Sequence, residues 1–171
     1  MEKIEVPKED IREISKNLVE YLIDYKIHRL LLVDRSARLA YIGLKHYWKY
    51  NLKLPDIYFI NPKAYNCDKI IENFPRRYPK IWSEKDPPIL IFDTCLHSGK
   101  TLSTLVSKFE KWGFNNINTG LVQRPSITWS IDFIALNRTP KYGCRPFGYD
   151  PILKKSDSLV CRLSKNPQDI K

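Results

Sequence analysis

Three short, continuously apolar runs constrain the fold more than any other feature of this sequence. They occupy residues 29–34 (RLLLVD), 56–60 (DIYFI) and 89–93 (ILIFD). Uninterrupted apolar strands are typical of parallel sheets that carry helices on both faces. Apolar residues at spacings of three and four predict helices that begin near Pro7, Ser36 and Thr101, and further strands are predicted at 118–122 and 131–136. The alternation predicts an α/β protein: a three-layer αβα fold with a central, mostly parallel sheet.

The length of 171 residues favours a single domain spanning 1–171, since the sequence contains no internal repeat and no linker. Residues 62–88 are the least regular stretch. We expect a long surface loop there, with a short helix around 68–73, and loops of this length are often functional. Residues 137–171 form a basic C-terminal subregion with eight Lys/Arg and three Asp.

The net charge of +10 predicts an anionic partner, which the charge alone leaves open between nucleic acid, an acidic membrane and a small polyphosphate. No apolar run approaches the ~20 residues of a membrane helix, and the first residues are charged rather than signal-like. The expected location is therefore cytoplasmic, without a membrane. Four widely spaced cysteines with no CxxC pair indicate reduced thiols rather than a zinc site.

The segment most suited to chemistry is 89–101 (ILIFDTCLHSGKT). A buried strand brings Asp93 to the edge of the sheet, where ligands bind in folds of this kind. The following loop enters a helix, so its amide groups and the helix N-terminus can converge on an anion. Gly99 permits close approach of a phosphate, and the hydroxyls of Ser98 and Thr101 can donate to its oxygens. The pattern predicts a phosphate cup beside one carboxylate.

Two known phosphate motifs do not fit this segment. A Walker A loop requires glycine five residues before Gly99, where this chain has Thr94. A cysteine phosphatase would need arginine six residues after Cys95, and Thr101 stands there.

The segment resembles the phosphoribosyl-pyrophosphate (PRPP) loop of the type I phosphoribosyltransferases: apolar strand, two acids, two apolar residues, a variable residue, Thr or Ser, Gly, any residue, Thr. The resemblance implies that Asp93 and Thr94 hold the ribose and that residues 97–101 hold the 5′-phosphate. Thr94 departs from the pattern, because the family has a second acid there. His97 stands at the variable position of the pattern. Two roles are open for it: a proton donor or acceptor in the reaction, or a solvated loop residue. The 5′-phosphate residues would be His97, Ser98, Gly99, Lys100 and Thr101.

A second stretch, residues 30–44 (LLLVDRSARLAYIGL), resembles the strand, loop and helix that bind pyrophosphate in the same family. Planar guanidinium groups suit this ligand because they pair with phosphate oxygens in a fork; the alternative is a capped helix with exposed arginines. Lys63, which follows the second strand, is a further candidate. Gln123 and Phe133 are candidates for base recognition by a looser similarity to 6-oxopurine enzymes, with core packing as the alternative for Phe133. The pyrophosphate candidates are Asp34, Arg35, Ser36, Ala37, Arg38 and Lys63.

The resemblance implies transfer of phosphoribosyl from PRPP to a nucleobase with release of pyrophosphate, with Mg²⁺ bound to the substrate and Asp93 and His97 as catalytic candidates. The oligomeric state stays open, with a homodimer as one candidate because dimers are common in the family. Two other functions stay open. One is a non-catalytic sensor of PRPP or nucleotides, favoured by Thr94. The other is a nucleic-acid-binding protein that uses the basic face at 137–165, where Tyr142, Phe147 and Tyr149 lie among the cations.

Overall fold

The computed structural model describes residues 8–33, 37–48, 51–61, 72–94, 99–123 and 130–136. Strands and helices alternate along most of this chain, as the apolar pattern predicts. In chain order the elements are α1 (Lys8–Asp24), β1 (Arg29–Val33), α2 (Arg38–Tyr47), β2 (Asp56–Ile60), α3 (Phe74–Arg77), α4 (Pro79–Ser83), β3 (Ile89–Asp93), α5 (Lys100–Lys111), β4 (Ile117–Gln123) and β5 (Phe133–Leu136).

The five strands form one parallel sheet in the order β2-β1-β3-β4-β5. The central strands β1 and β3 are buried along their whole length. Their register pairs Leu32 with Phe92, which places the last residue of β1 beside the last residue of β3. The sheet confirms the predicted parallel α/β architecture.

Helices cover both faces of the sheet, and alternate residues of β1 supply both cores. Leu30 and Leu32 pack with α1 and α2 on one face. Leu31 and Val33 pack on the other face with α5, α3 and α4. The fully buried side chains of α5 contribute roughly 2 kcal/mol each through burial; they are Leu102, Leu105 and Phe109.

The chain leaves the centre of the sheet in two directions. From β1 it passes through α2 to β2 at one edge, whereas from β3 it passes through α5 to β4 on the other side. Because α2 and α5 lie on opposite faces, the chain reverses its direction across the sheet between the carboxyl ends of β1 and β3. Such a topological switch point is where open α/β sheets bind ligands.

Most predicted boundaries are confirmed to within a few residues, and two expectations need correction. Residues 74–83 are not loop but the short helices α3 and α4, because Phe74 and Ile81 are buried against the sheet. Strand β5 begins at Phe133 rather than 131, since the preceding Asp132 accepts hydrogen bonds from Thr119. The helix predicted at 68–73 falls mostly outside the described residues, as does all of 137–171.

None of the helices within the described ranges is both long enough and apolar enough to cross a membrane.

Candidate phosphate site at the topological switch point

Asp93 and Thr94 lie at the carboxyl end of β3, at the topological switch point. Both are almost fully buried, with exposed fractions of 6% and 4%. The Oδ1 atom of Asp93 accepts a hydrogen bond from the backbone N–H of Thr94 at 2.7 Å. This bond fixes the carboxylate against the beginning of its own loop, so its direction is set by the backbone rather than by a flexible side chain.

Gly99 begins α5 on the far side of the same loop. Its backbone is left-handed, with φ 71° and ψ −11°, a conformation that side chains make costly. Its carbonyl accepts a hydrogen bond from the N–H of Ser103 at 3.0 Å, which starts the helix. The first amides of a helix lack intrahelical acceptors and carry partial positive charge. The turn at Gly99 is therefore suited to an anion, with Lys100 exposed and Thr101 half-buried beside it.

The end of β1 and the start of α2 lie close together. The backbone N–H of Ala37 donates to the carbonyl of Val33 at 3.3 Å. Ala37 is fully buried, whereas Arg38, the first residue of α2, is exposed. Neighbouring strands lie about 4.8 Å apart, so the loops after β1 and β3 leave the sheet side by side.

Arg38 has a defined position. Its guanidinium carbon lies 5.8 Å from the centre of the Phe59 ring, close to the carboxyl end of β2. A cation at this distance is attracted to the face of the ring. No local pattern in the sequence singles out Phe59, because the contact joins residues 21 positions apart that meet through the pairing of β1 with β2.

The structure brings together part of the predicted site. The β3–α5 connection contains Asp93, Thr94, Gly99, Lys100 and Thr101. Ala37 and Arg38 lie at the start of α2, which follows the neighbouring strand β1. Gln123 ends β4, the strand next to β3. The other candidates lie outside the described residues; they are Asp34, Arg35, Ser36, Lys63, His97 and Ser98.

Phe133 occupies the core. Only 8% of Phe133 is exposed. Its ring stacks on the ring of Tyr21 with centroids 4.3 Å apart, and the centroid of the Phe92 ring lies 6.1 Å from its own. With these contacts the structure favours the packing role over the base-stacking role for Phe133.

The carboxyl end of β3 supplies one carboxylate for a divalent cation that would be bound together with a ligand. Among the described residues, no group of three or more His, Cys, Asp and Glu side chains is placed to hold a metal ion. Mg²⁺ is commonly bound by one or two carboxylates together with substrate phosphates and water. Asp93 is a carboxylate of this kind at the carboxyl end of β3.

Comparison of the sequence with protein-family models and with curated proteins gives no match. Solved structures, in contrast, are similar over most of the chain. A purine phosphoribosyltransferase from Pyrococcus horikoshii is 20% identical, with a TM-score of 0.56 over 85% of this chain and 94% of that one. A Leishmania tarentolae HGPRT-ase solved with GMP is 13% identical, with a TM-score of 0.56 over 78% and 79%.

A hypoxanthine phosphoribosyltransferase from Trypanosoma cruzi, a mutant complexed with its product IMP, is 15% identical with a TM-score of 0.51 over 86% of this chain and 82% of that one. At such identities the similarity establishes architecture. It agrees with the five-stranded parallel sheet and its two helical layers. This chain has the α/β fold of the type I phosphoribosyltransferases.

Proposed function

We propose that this protein binds a ribose 5-phosphate group at the β3–α5 connection and transfers it from PRPP to a nucleobase. The observation that carries the proposal is the pair formed by Asp93 and Gly99 at the switch point. A buried, backbone-oriented carboxylate and a left-handed glycine at a helix N-terminus flank one loop, in a fold shared with purine phosphoribosyltransferases.

In this proposal the amides of residues 97–101 and the hydroxyls of Ser98 and Thr101 hold the 5′-phosphate. Asp93 accepts a hydrogen bond from a ribose hydroxyl, with Thr94 as a weaker, neutral partner. The pyrophosphate lies at the neighbouring loop, toward residues 34–38, where Arg38 contributes positive charge, and Lys63 is a further candidate contact. Gln123, the last residue of β4, is the candidate contact for the base.

The reaction exchanges one bond at C1 of the ribose for another. The C1–O bond breaks and its electron pair leaves with pyrophosphate, while a ring nitrogen of the base attacks C1 and then loses its proton. Bound Mg²⁺ supplies charge neutralisation on the pyrophosphate. The protein contributes mainly by positioning the two partners and stabilising the leaving charge, and His97 is the candidate acceptor for the proton of the base.

The 6-oxopurine nucleotides are the first ligands to test, because similar folds were solved with GMP and IMP. We expect the full chain to bind GMP or IMP by calorimetry. Asp93→Asn should weaken binding about 10- to 100-fold, since it removes a charge-assisted hydrogen bond. The amide oxygen can still accept from the N–H of Thr94, so the local fold should survive.

Asp132→Asn is the matched control. Asp132 is an exposed acid just before β5, beside the middle of β4 and two strands away from β3, and it accepts hydrogen bonds from Thr119. We expect this variant to bind GMP as the parent does. Equal affinities for the parent and Asp93→Asn would exclude the proposed site.

A second function, a sensor that binds PRPP or nucleotides without catalysis, is favoured by Thr94. This side chain is 4% exposed and neutral where the resemblance has an acid. Incubation with PRPP, Mg²⁺ and adenine, guanine, hypoxanthine, xanthine or uracil distinguishes the two. Release of pyrophosphate with one base supports the transferase, whereas binding without release supports the sensor.

A further inference from the structure

Asp93 is the single acid among the described residues at the carboxyl ends of the five strands. Its register partner on β4 is Leu121, and on its other side β1 ends at Val33. Both of these neighbours are buried and apolar. Within the described part of the chain, the strands that flank β3 therefore supply no second carboxylate at the level of Asp93.

The residue that follows Asp93 is neutral and enclosed. Thr94 is buried, and its backbone N–H donates to the Oδ1 atom of Asp93. The sequence of residues 94–101 (TCLHSGKT) contains no Asp or Glu. A hydrogen bond to a neutral hydroxyl is about half as strong as one to a carboxylate. The two positions at the end of β3 thus offer one strong acceptor and one weak acceptor.

We infer that the site binds one ribose hydroxyl tightly and the other loosely, so that it also accepts nucleotides that lack the loosely bound hydroxyl. The inference rests on the proposed function, in which Asp93 accepts a hydrogen bond from the ribose. Loss of the hydroxyl that a buried carboxylate accepts is costly, because the carboxylate loses a partner where little water can replace it. Loss of a hydroxyl that faces neutral Thr94 costs much less.

The ligand class therefore includes a deoxyribose 5-phosphate group beside ribose 5-phosphate. A nucleotide and its deoxy analogues share the phosphate and the base, so a difference in their affinities reports the sugar contacts alone. The test is calorimetry of the full chain with GMP, 2′-deoxy-GMP and 3′-deoxy-GMP. One deoxy analogue should bind at least about tenfold more weakly than GMP, and the other within about threefold of it.

Thr94→Val tests the weak contact. Valine keeps the shape of threonine and the backbone N–H that donates to Asp93, and it removes only the hydroxyl. Because a neutral contact is lost, GMP affinity should fall at most about threefold, and affinity for the accepted analogue should not change. A loss of GMP affinity above about tenfold would assign tight binding to Thr94 and overturn the inference.

Thr94→Asp tests the reverse change, because it restores a second acid. It should raise the preference for GMP over the accepted analogue at least about fivefold, since the second hydroxyl then gains a charged acceptor. An unchanged preference in the folded variant would contradict the inference. If two adjacent buried carboxylates prevent folding, the comparison of the three ligands on the parent and on Thr94→Val decides.

Thr104→Val is the matched control for the loss of a threonine hydroxyl. Thr104 is half-buried in α5, beyond the first turn of the helix, and this variant should keep all three affinities within about twofold of the parent. Equal weakening of both deoxy analogues would overturn the inference and leave the proposed function standing, since a second group such as Asp34 would then hold the other hydroxyl.

Two further outcomes separate the inference from the proposed function. Equal affinity for all three ligands would overturn the inference, because neither hydroxyl would then depend on Asp93, while the phosphate contacts would stand. Absence of GMP and IMP binding by the parent would refute the proposed function itself, and the inference with it.

Discussion

Polar groups have different kinds of partner at the two ends of the parallel strands. At the amino ends, opposite charges meet: Arg29, with 4% of its side chain exposed, donates to both the backbone oxygen and the carboxylate of Glu84. Asp56 pairs there with Lys80. At the carboxyl ends, Asp93 accepts from the adjacent amide of Thr94, and Gly99 holds a left-handed turn at the start of a helix.

The polar groups at the two ends have different expected roles. Pairing at the amino ends ties α4 and the residues after it to the first residues of β1 and β2, so this connection is anchored. At the carboxyl ends, the proposed function assigns the carboxylate of Asp93 and the N-terminus of α5 to a ligand. Substitutions at the two ends should therefore separate stability from ligand binding.

The largest effect on stability is expected at the buried arginine. Glu84→Ala leaves the charge of Arg29 with fewer partners and should lower the free energy of unfolding by about 2 kcal/mol. Arg29→Met removes the charge together with the need for a partner, so it should cost less than Glu84→Ala. Urea unfolding measures both. A larger loss of unfolding free energy in Arg29→Met than in Glu84→Ala would mean that the ion pair itself stabilises the fold, beyond offsetting the cost of burying the charge.

Two glycines give a matched comparison between the ends. Gly99 and Gly113 both have left-handed backbones, with φ 71° and 87°, but Gly113 lies near the amino end of β4. Alanine at either position should cost about 1 kcal/mol in unfolding free energy. Only Gly99→Ala should also weaken GMP or IMP binding, by about tenfold, because it distorts the turn at the phosphate. Equal effects of both variants on ligand affinity would remove the distinction between the ends.

The smallest effect concerns pH. The hydrogen bond from Lys80 holds the pKa of Asp56 below its ordinary value of 3.8. A carboxylate with a lowered folded-state pKa stabilises the fold above the unfolded value, and that contribution disappears as the pH falls through the folded value. Between pH 6 and pH 3, the thermal midpoint of the parent should therefore fall slightly more than that of Asp56→Asn. Asp24→Asn, at the exposed end of α1, should behave as the parent does.

Strands β2 and β3 could be predicted to the residue, because each is an apolar run bounded by polar or proline residues. The stop of α5 at Gly113 could also be predicted, since glycine adopts the left-handed backbone at low cost. The two short helices within residues 74–83 could not be predicted. The prolines and cations of this stretch are typical of a loop, and it is helical because Phe74 and Ile81 pack into the core on the α5 face of the sheet.

Within the site, sequence order was enough to connect Asp93 with Gly99, since both belong to one strand–loop–helix unit. Nothing local indicated that Phe133 would stack on Tyr21, or that Arg38 would lie on Phe59. The sequence by itself determined the period of each element and the residues that end each strand, because these depend on neighbours along the chain. The tertiary structure decided the strand order, the switch point between β1 and β3 and the contact of Arg38 with Phe59, because each depends on which distant segments pack together.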